Sequence, residues 1–200
     1  MPVTTLATVA QVQARAFDAG SVHAAELAQL VASVTKTIEN YCNRILMRQA
    51  TRTDYLTGDG SDVLSLPLYP IESVTSVTIA SDRSFDGVTA LTVEDDYRFE
   101  PETGLLYYML GDWPEYRRGI KVVYVGGYVH PDDTPTGAQI SLPTDLTEAC
   151  IQQCVHWCNR RSDYGTKGEK AGDGAVTFIE TGLLLPSVKG LCAPYKRYSI

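Results

Sequence analysis

Apolar residues recur at three- and four-residue spacing near both ends of the chain and alternate with polar ones through its middle, a pattern that predicts helices flanking a sheet. Leu6, Val9, Ala10, Gln13, Ala16 and Phe17 share one helical stripe, with Thr5 placed as N-cap and Asp18, Ala19 and Gly20 as the stop. A longer helix follows Ser21, whose hydroxyl caps its first amides. Its stripe is Leu27, Leu30, Val31, Val34, Ile38, Tyr41, Cys42 and Ile45. At ~1.5 Å per residue that helix spans roughly 36 Å.

After Arg48 the period shortens to two. Arg52 to Thr57 and Val63 to Leu66 flank Gly58, Asp59, Gly60 and Ser61, where glycine permits the positive angles of a hairpin turn. Further strands are expected at Ser73 to Ile79, Ala90 to Val93, Tyr97 to Glu100, Leu105 to Tyr108 and Ile120 to Val125, with Pro101 to Gly104 as a tight turn. Residues 126–141 read as a loop because Gly, Pro, Asp and Thr dominate them. Pro143 then suits a first helical position, and Leu146, Ala149, Cys150, Cys154, Trp157 and Cys158 form an apolar stripe that Arg160 and Arg161 close. Residues 162–175 are rich in Gly, Lys and Asp, and beyond them come a short strand, Val176 to Ile179, and a Pro-bounded segment from Leu183 to Tyr198. The expected class is α+β: a helical bundle formed by N-terminal and C-terminal helices with an inserted antiparallel β region. Its parts are 1–47 helical, 48–128 inserted β region, 142–163 return helix and 176–200 C-terminal tail, in a single domain.

The length of 200 residues fits one domain that buries roughly 70% of its unfolded surface. With 44% hydrophobic and 20% charged residues, the composition is that of a folded globular chain. No apolar run approaches the ~20 residues of a membrane helix, and Met1 to Ala10 lacks the basic and apolar blocks of a secretory signal, so no membrane partner is expected. Five cysteines, an odd number, suit a reducing compartment. The net charge of −7 speaks against tight nucleic-acid binding. Its distribution is polar: acids crowd Asp54 to Glu115 against only Arg83 and Arg98, whereas the end of the chain carries Lys189, Lys196 and Arg197 and no acid.

Candidate chemistry is sparse. Cys150, Cys154 and Cys158 recur every four residues along one side of a helix. A metal site would need a fourth ligand, so packing of small buried thiols is the preferred reading over metal. His130, Asp132 and Asp133 form the one histidine–carboxylate cluster and could hold a divalent metal or an acid–base pair; their surroundings, Pro131, Thr134 and Pro135, favour a solvated loop. Glu94, Asp95 and Asp96 read as a turn or an exposed edge. No GxSxG, HExxH, CxxC, GxGxxG or GK[ST] motif is present. No enzyme activity and no cofactor are expected.

The order of segments carries a resemblance. A long helix ends Ile38-Glu39-Asn40-Tyr41-Cys42-Asn43-Arg44, and Gly58-Asp59-Gly60-Ser61, Leu64-Ser65-Leu66-Pro67 and Pro70-Ile71-Glu72-Ser73-Val74-Thr75-Ser76-Val77 follow. Ile120 to Tyr128 and Leu142-Pro143-Thr144-Asp145-Leu146 complete the series. Over residues 21–161 this arrangement resembles the head–tail connector (adaptor, or head-completion) proteins of tailed bacteriophages and related gene transfer particles. The resemblance implies a structural virion subunit of the neck, assembled in the host cytoplasm. Neighbouring copies would form a ring, dodecameric in the family, under the portal protein; the ring would extend the channel for DNA, which passes without specific binding, and dock a stopper or tail protein. It implies that the tail docks on the portal, with Leu183, Leu184, Leu185, Val188, Leu191 and Tyr195 as apolar anchors and Lys189, Lys196 and Arg197 supplying charge. Packing of the tail on its own domain is the alternative. Asp59, Asp62, Glu94, Asp95 and Asp96 would face the channel or the boundary between subunits. Another neck or tail-completion subunit is the second reading, and a metal-dependent hydrolase using His130, Asp132 and Asp133 a distant third.

Overall fold

The computed structural model describes residues 4–15, 24–130, 132–159 and 184–197. Helices and mainly antiparallel sheets segregate along the chain, so the protein is α+β. It divides into a helical unit, 5–41 with 143–195, and a β unit, 42–142 with 196–200 and the first four residues. The β unit is wider than the expected 48–128. The cause lies in residues 45–47, which already run with the sheets: the Ile45 N–H donates to the Pro67 carbonyl, and the Leu46 carbonyl accepts the Tyr128 N–H.

In the helical unit, α1 (Val9–Arg15) starts later than its apolar stripe suggests. Thr8 and Gln11 form a reciprocal capping box, in which the Gln11 N–H donates to Thr8 Oγ1 and the Thr8 N–H to Gln11 Oε1. Thr5 therefore does not cap it; Leu6 and Ala7 are buried ahead of the helix, and the Leu6 N–H is satisfied by Thr35 Oγ1. The second helix, α2 (Ala24–Cys42), buries Leu27, Val31, Val34 and Ile38 on one face. It ends short of Ile45 because Asn43 adopts φ 53°, a left-handed residue that terminates helices. Its length is thus ~28 Å. Helix α3 (Thr144–Asn159) begins one residue after Pro143, whose carbonyl accepts the Leu146 and Thr147 N–H groups. Against α3 lies α4 (Pro186–Cys192), with Leu184, Val188 and Cys192 buried at four-residue spacing and the Leu185 N–H held by the buried Gln153 side chain.

The β unit is built from two three-stranded antiparallel sheets. One has the order β1 (Gln49–Leu56), β6 (Ile120–Gly126), β3 (Ile71–Ile79); the other has β2 (Val63–Ser65), β5 (Leu105–Tyr108), β4 (Tyr97–Glu100). Alternation along β6 sends Ile120, Val122 and Tyr124 inward and Lys121, Val123 and Val125 outward. The inward residues share one core with Leu64, Leu106, Tyr97 and the fully buried Trp113, so both sheets cover the same apolar centre. Gly58 to Ser61 is not the hairpin turn expected between β1 and β2: β1 pairs with β6 and β2 with β5, so these residues carry the chain from one sheet to the other. Gly58 is required there, since a Cβ would lie 2.5 Å from the Pro114 carbonyl oxygen. Ala90 to Val93 forms no strand; Val93 makes a single bridge to Tyr97, and the Thr92 N–H is taken by the Asp96 carboxylate. The expected loop 126–141 contains a short parallel pair, β7 (Tyr128–Val129) with β8 (Ile140–Ser141). Ala16, Phe17, the stop at Asp18 to Gly20, the Ser21 cap, Arg160 and Arg161, residues 162–175, the strand expected at Val176 to Ile179, Leu183 and Tyr198 lie outside the described residues.

Candidate functional site

The acids that the sequence presents as one run take three different places. Asp54 and Glu72 are turned inward and paired. Arg52 grips Asp54 with two hydrogen bonds of 2.6 and 2.8 Å, and the buried Tyr124 hydroxyl donates to the same carboxylate at 2.7 Å while accepting the Leu68 N–H. Burial, and then Asp54, push the Tyr124 hydroxyl far above its ordinary pKa. Burial alone would lower that of Arg52, but the bond and charge of Asp54 outweigh it and the net shift is upward. Glu72 binds Arg48 at 2.7 Å. Other acids tie their own loops. Asp59 accepts the Ser61 hydroxyl and N–H, which hold its carboxyl below the usual range, and Asp96 accepts the Thr92 N–H.

Of the remaining acids, the fold brings Asp62 and the turn at Glu94 and Asp95 to one place. The carbonyl of Asp62, just before β2, accepts the Tyr108 N–H; the carbonyl of Asp96, just before β4, accepts the Met109 N–H. Asp62 and the Glu94–Asp96 turn therefore flank the same end of the β2–β5–β4 sheet. Glu94 pairs with Arg98 at 3.1 Å, whereas Asp62 and Asp95 form no ion pair among the described residues. Between them stand exposed apolar side chains: Val93, Met109 and Leu110, the last 65% exposed.

The hydrolase constellation does not assemble. His130 is fully buried, contrary to the solvated loop expected, because the Leu142 N–H bonds to the Val129 carbonyl and folds the segment back onto the sheet. Its Nδ1 accepts the Asp132 N–H at 3.1 Å, and its carbonyl accepts the Asp133 N–H. Asp132 points outward with its carboxylate 3.8 Å from Nδ1, so the three residues form a local turn and not an open site. Cys150 and Cys154 are buried and Cys158 half-buried, none in a disulfide. A hydrogen bond that the Cys154 thiol donates to Cys150, and then burial, raise its pKa well above the ordinary value, which suits packing and opposes a thiolate ligand.

Of the tail residues, Leu183 lies outside the described residues, while Leu184 and Val188 are buried within the helical unit. Leu185, Lys189, Leu191 and Tyr195 are half-buried. Lys196 and Arg197 belong to the β unit, where the Arg197 N–H donates to the Cys42 carbonyl and its guanidinium to the Ser65 hydroxyl and carbonyl at 3.2 and 3.1 Å. Arg197 thereby lines a cleft of 230 Å³ with Leu56, Thr57, Asp59, Ser61 and Ser65.

Two features escape the sequence pattern. Arg44 is buried with its guanidinium 3.3 Å from the centre of the Tyr69 ring and bonded to the Tyr69 carbonyl. On the outer face of β1 and β6, Tyr55 lies 5.5 Å from Phe85, Arg118 is 5.7 Å from the Tyr55 ring, and Lys121 is 5.7 Å from the Phe85 ring. A Tyr–Lys pair in cross-strand register, Tyr55 opposite Lys121, was readable only once β1 was known to pair with β6.

The family described as "Head completion protein" matches residues 5–198. None of the curated proteins matches the chain. Among solved structures, a chain from the neck of an empty gene transfer agent particle computed with C6 symmetry is 17% identical, with a TM-score of 0.62 over 100% of this chain and 96% of that one. A chain of the virion of the native gene transfer agent particle is 18% identical with a TM-score of 0.62, over 96% of this chain and 90% of that one. A chain from the neck of the native particle computed with C12 symmetry is 17% identical with a TM-score of 0.59, over 100% and 96%. At these identities the likeness concerns the fold.

Proposed function

The chain belongs to the head completion protein family, and we propose that it acts in the virion neck as a ring-forming adaptor beneath the portal. The family match over residues 5–198 is the observation that carries this reading. The fold shared with chains of gene transfer agent necks, one computed with C12 symmetry, supports a dodecameric ring of identical subunits. In that ring the terminal helices act together as the scaffold, and the β unit makes contacts between neighbours and with the stopper or tail protein that docks next. No substrate chemistry is assigned to the subunit; its work is assembly.

The acidic end at Asp59, Asp62, Glu94, Asp95 and Asp96 is the surface offered to the channel or to the subunit boundary. Carboxylates facing a channel repel phosphate over ~8 Å at physiological salt and leave DNA free to slide. Portal docking falls to the half-buried tail residues Leu185, Lys189, Leu191, Tyr195, Lys196 and Arg197, while Leu184 and Val188 hold α4 in place. Mixing the full-length chain with the portal protein of its particle tests the reading, with mass measurement and electron microscopy as readouts. A cyclic assembly seated on the portal is expected. A chain that stays monomeric and ignores the portal at every concentration overturns it.

A further inference from the structure

The β unit carries two exposed apolar surfaces that differ in sign. On the outer face of β1 and β6, Tyr55 is 41% exposed and sits among Phe85, Arg118 and Lys121. Neither cation forms an ion pair among the described residues, and the register neighbours on this face, Thr53 and Val123, are uncharged. In the loop that carries Phe85, Asp82 accepts the Ser84 N–H, and both it and Asp86 are exposed. At the end of the β2–β5–β4 sheet, Val93, Met109 and Leu110 are 44%, 48% and 65% exposed, and the carboxylates around them, Asp62 and Asp95, lack cations. The inward faces of the two sheets share one core. The outer face of β1 and β6 is therefore turned away from the small sheet, and the two surfaces cannot neutralise each other within one chain.

We propose that, in the assembled ring, the face formed by Tyr55, Phe85, Arg118 and Lys121 receives the Val93–Met109–Leu110 end of a second copy, with Asp62 and Asp95 meeting the two cations. This rests on the ring reading and names its subunit contact. Charge complementarity selects the occupant: among the described residues Arg118 and Lys121 on one surface, and Asp62 and Asp95 on the other, form no ion pair. Because the surfaces differ, the contact is head-to-tail, the kind that closes into a ring and not into an isolated two-fold dimer. An aromatic and arginine cluster facing apolar side chains is also the composition of an interface centre. A nucleic-acid phosphate is the weaker occupant, since two cations on a chain of net charge −7 make a poor polyanion site.

Full-length variants test this. Arg118→Glu with Lys121→Glu, and separately Asp62→Lys with Asp95→Lys, each face like charge across the contact and should weaken assembly at least about tenfold. Mixing the two variants, or combining all four changes in one chain, restores opposite charges at every boundary and should restore assembly. Matching thermal melts confirm that the variants fold; Arg118→Gln with Lys121→Gln is the milder pair if they do not. Double variants that assemble like the parent, or a mixture that fails to recover, overturn the contact while leaving the ring reading intact. Duplex DNA binding that the Arg118 and Lys121 changes abolish, with assembly unaltered, overturns it in favour of phosphate. A parent chain that forms no ring, alone or with portal, overturns the ring reading itself and this contact with it.

Discussion

Replacing Tyr124 by Phe removes one oxygen from the β unit and breaks two hydrogen bonds while leaving the ring in place. The hydroxyl donates to Asp54 at 2.7 Å and accepts the Leu68 N–H at 3.3 Å. A bond to a charged acceptor contributes ~1.5–3 kcal/mol, and an orphaned buried N–H costs ~1–3 kcal/mol, with the longer Leu68 bond at the low end. The expected loss is about 2–4 kcal/mol, which for a chain of this size lowers Tm by roughly 5–12 °C. Asp54→Ala should cost a similar amount, because it strands both the Tyr124 hydroxyl and the Arg52 guanidinium. The two losses share a bond, so the double variant should fall short of their sum by about 1.5 kcal/mol or more. Urea unfolding in a Trp157→Phe background, where Trp113 in the β-unit core is the remaining tryptophan, reads this directly. The alkaline limb gives a second readout. The folded pKa of Tyr124 lies above its unfolded value of about 10, so its stabilisation is present below that pH and is lost as pH rises, by ~1.4 kcal/mol per unit. Tyr97 shifts in the same direction and keeps its share in both proteins, so the difference belongs to Tyr124. Additive losses within about 0.5 kcal/mol, or a Tyr124→Phe protein with the parent's alkaline limb, would refute the coupled network.

Thr8→Ala should cost about 1 kcal/mol by removing the N-cap of α1, and adding Gln11→Ala should cost little more, since one capping box holds both groups; thermal melts of the single and double variants check this. Gly58→Ala should destabilise by about 1–3 kcal/mol, because the new Cβ meets the Trp113 and Pro114 carbonyls at 2.7 and 2.5 Å and backbone cannot rotate away; urea midpoints decide it. The Cys154 thiol, pushed upward in pKa and buried, should resist iodoacetamide at pH 8 until the chain unfolds, as peptide mass mapping would show; rapid labelling in the native protein would contradict its burial.

The helices were legible wherever apolar residues recur along one face, as in α2 and α3, and the start of α1 was missed where a local side-chain bond decided it. Nothing in a stripe reveals that Thr8 and not Thr5 finds a glutamine three residues on unless the capping spacing is read first, and that spacing is present in the sequence. Strand positions were readable from alternation, but strand partners were not. Gly58 to Ser61 has the composition of a hairpin turn and serves as a crossing between sheets, because pairing depends on which distant strand presents matching inward residues. The tail shows the limit differently. Its leucines and valine at four-residue spacing suit a partner's groove or the chain's own α3 equally well, and in the structure Leu184 and Val188 lie buried in their own unit. His130 was misplaced for a related reason, since loop composition around a residue says little about whether its own side chain points inward.

Sorting the acids by role changes what their charge can do. Asp54, Glu72 and Glu94 pair with Arg52, Arg48 and Arg98, whereas Asp59 and Asp96 accept loop hydrogen bonds and keep their charge. Asp62 and Asp95 form no ion pair among the described residues, so pairing cancels only part of the negative charge in the run. A ring repeats that remainder at every subunit, and its placement then has opposite consequences. Carboxylates crowded around a channel repel one another across neighbours, so added salt, by screening them, should favour closure. Carboxylates set against Arg118 and Lys121 attract, so added salt should weaken closure. The sign of the salt dependence of assembly, measured by light scattering from about 50 to 500 mM salt with the portal present, separates the two placements without any substitution. Assembly that falls with salt in the parent but not in the Arg118→Gln, Lys121→Gln variant assigns the free acids to the subunit boundary; assembly that rises with salt in both assigns them to the channel.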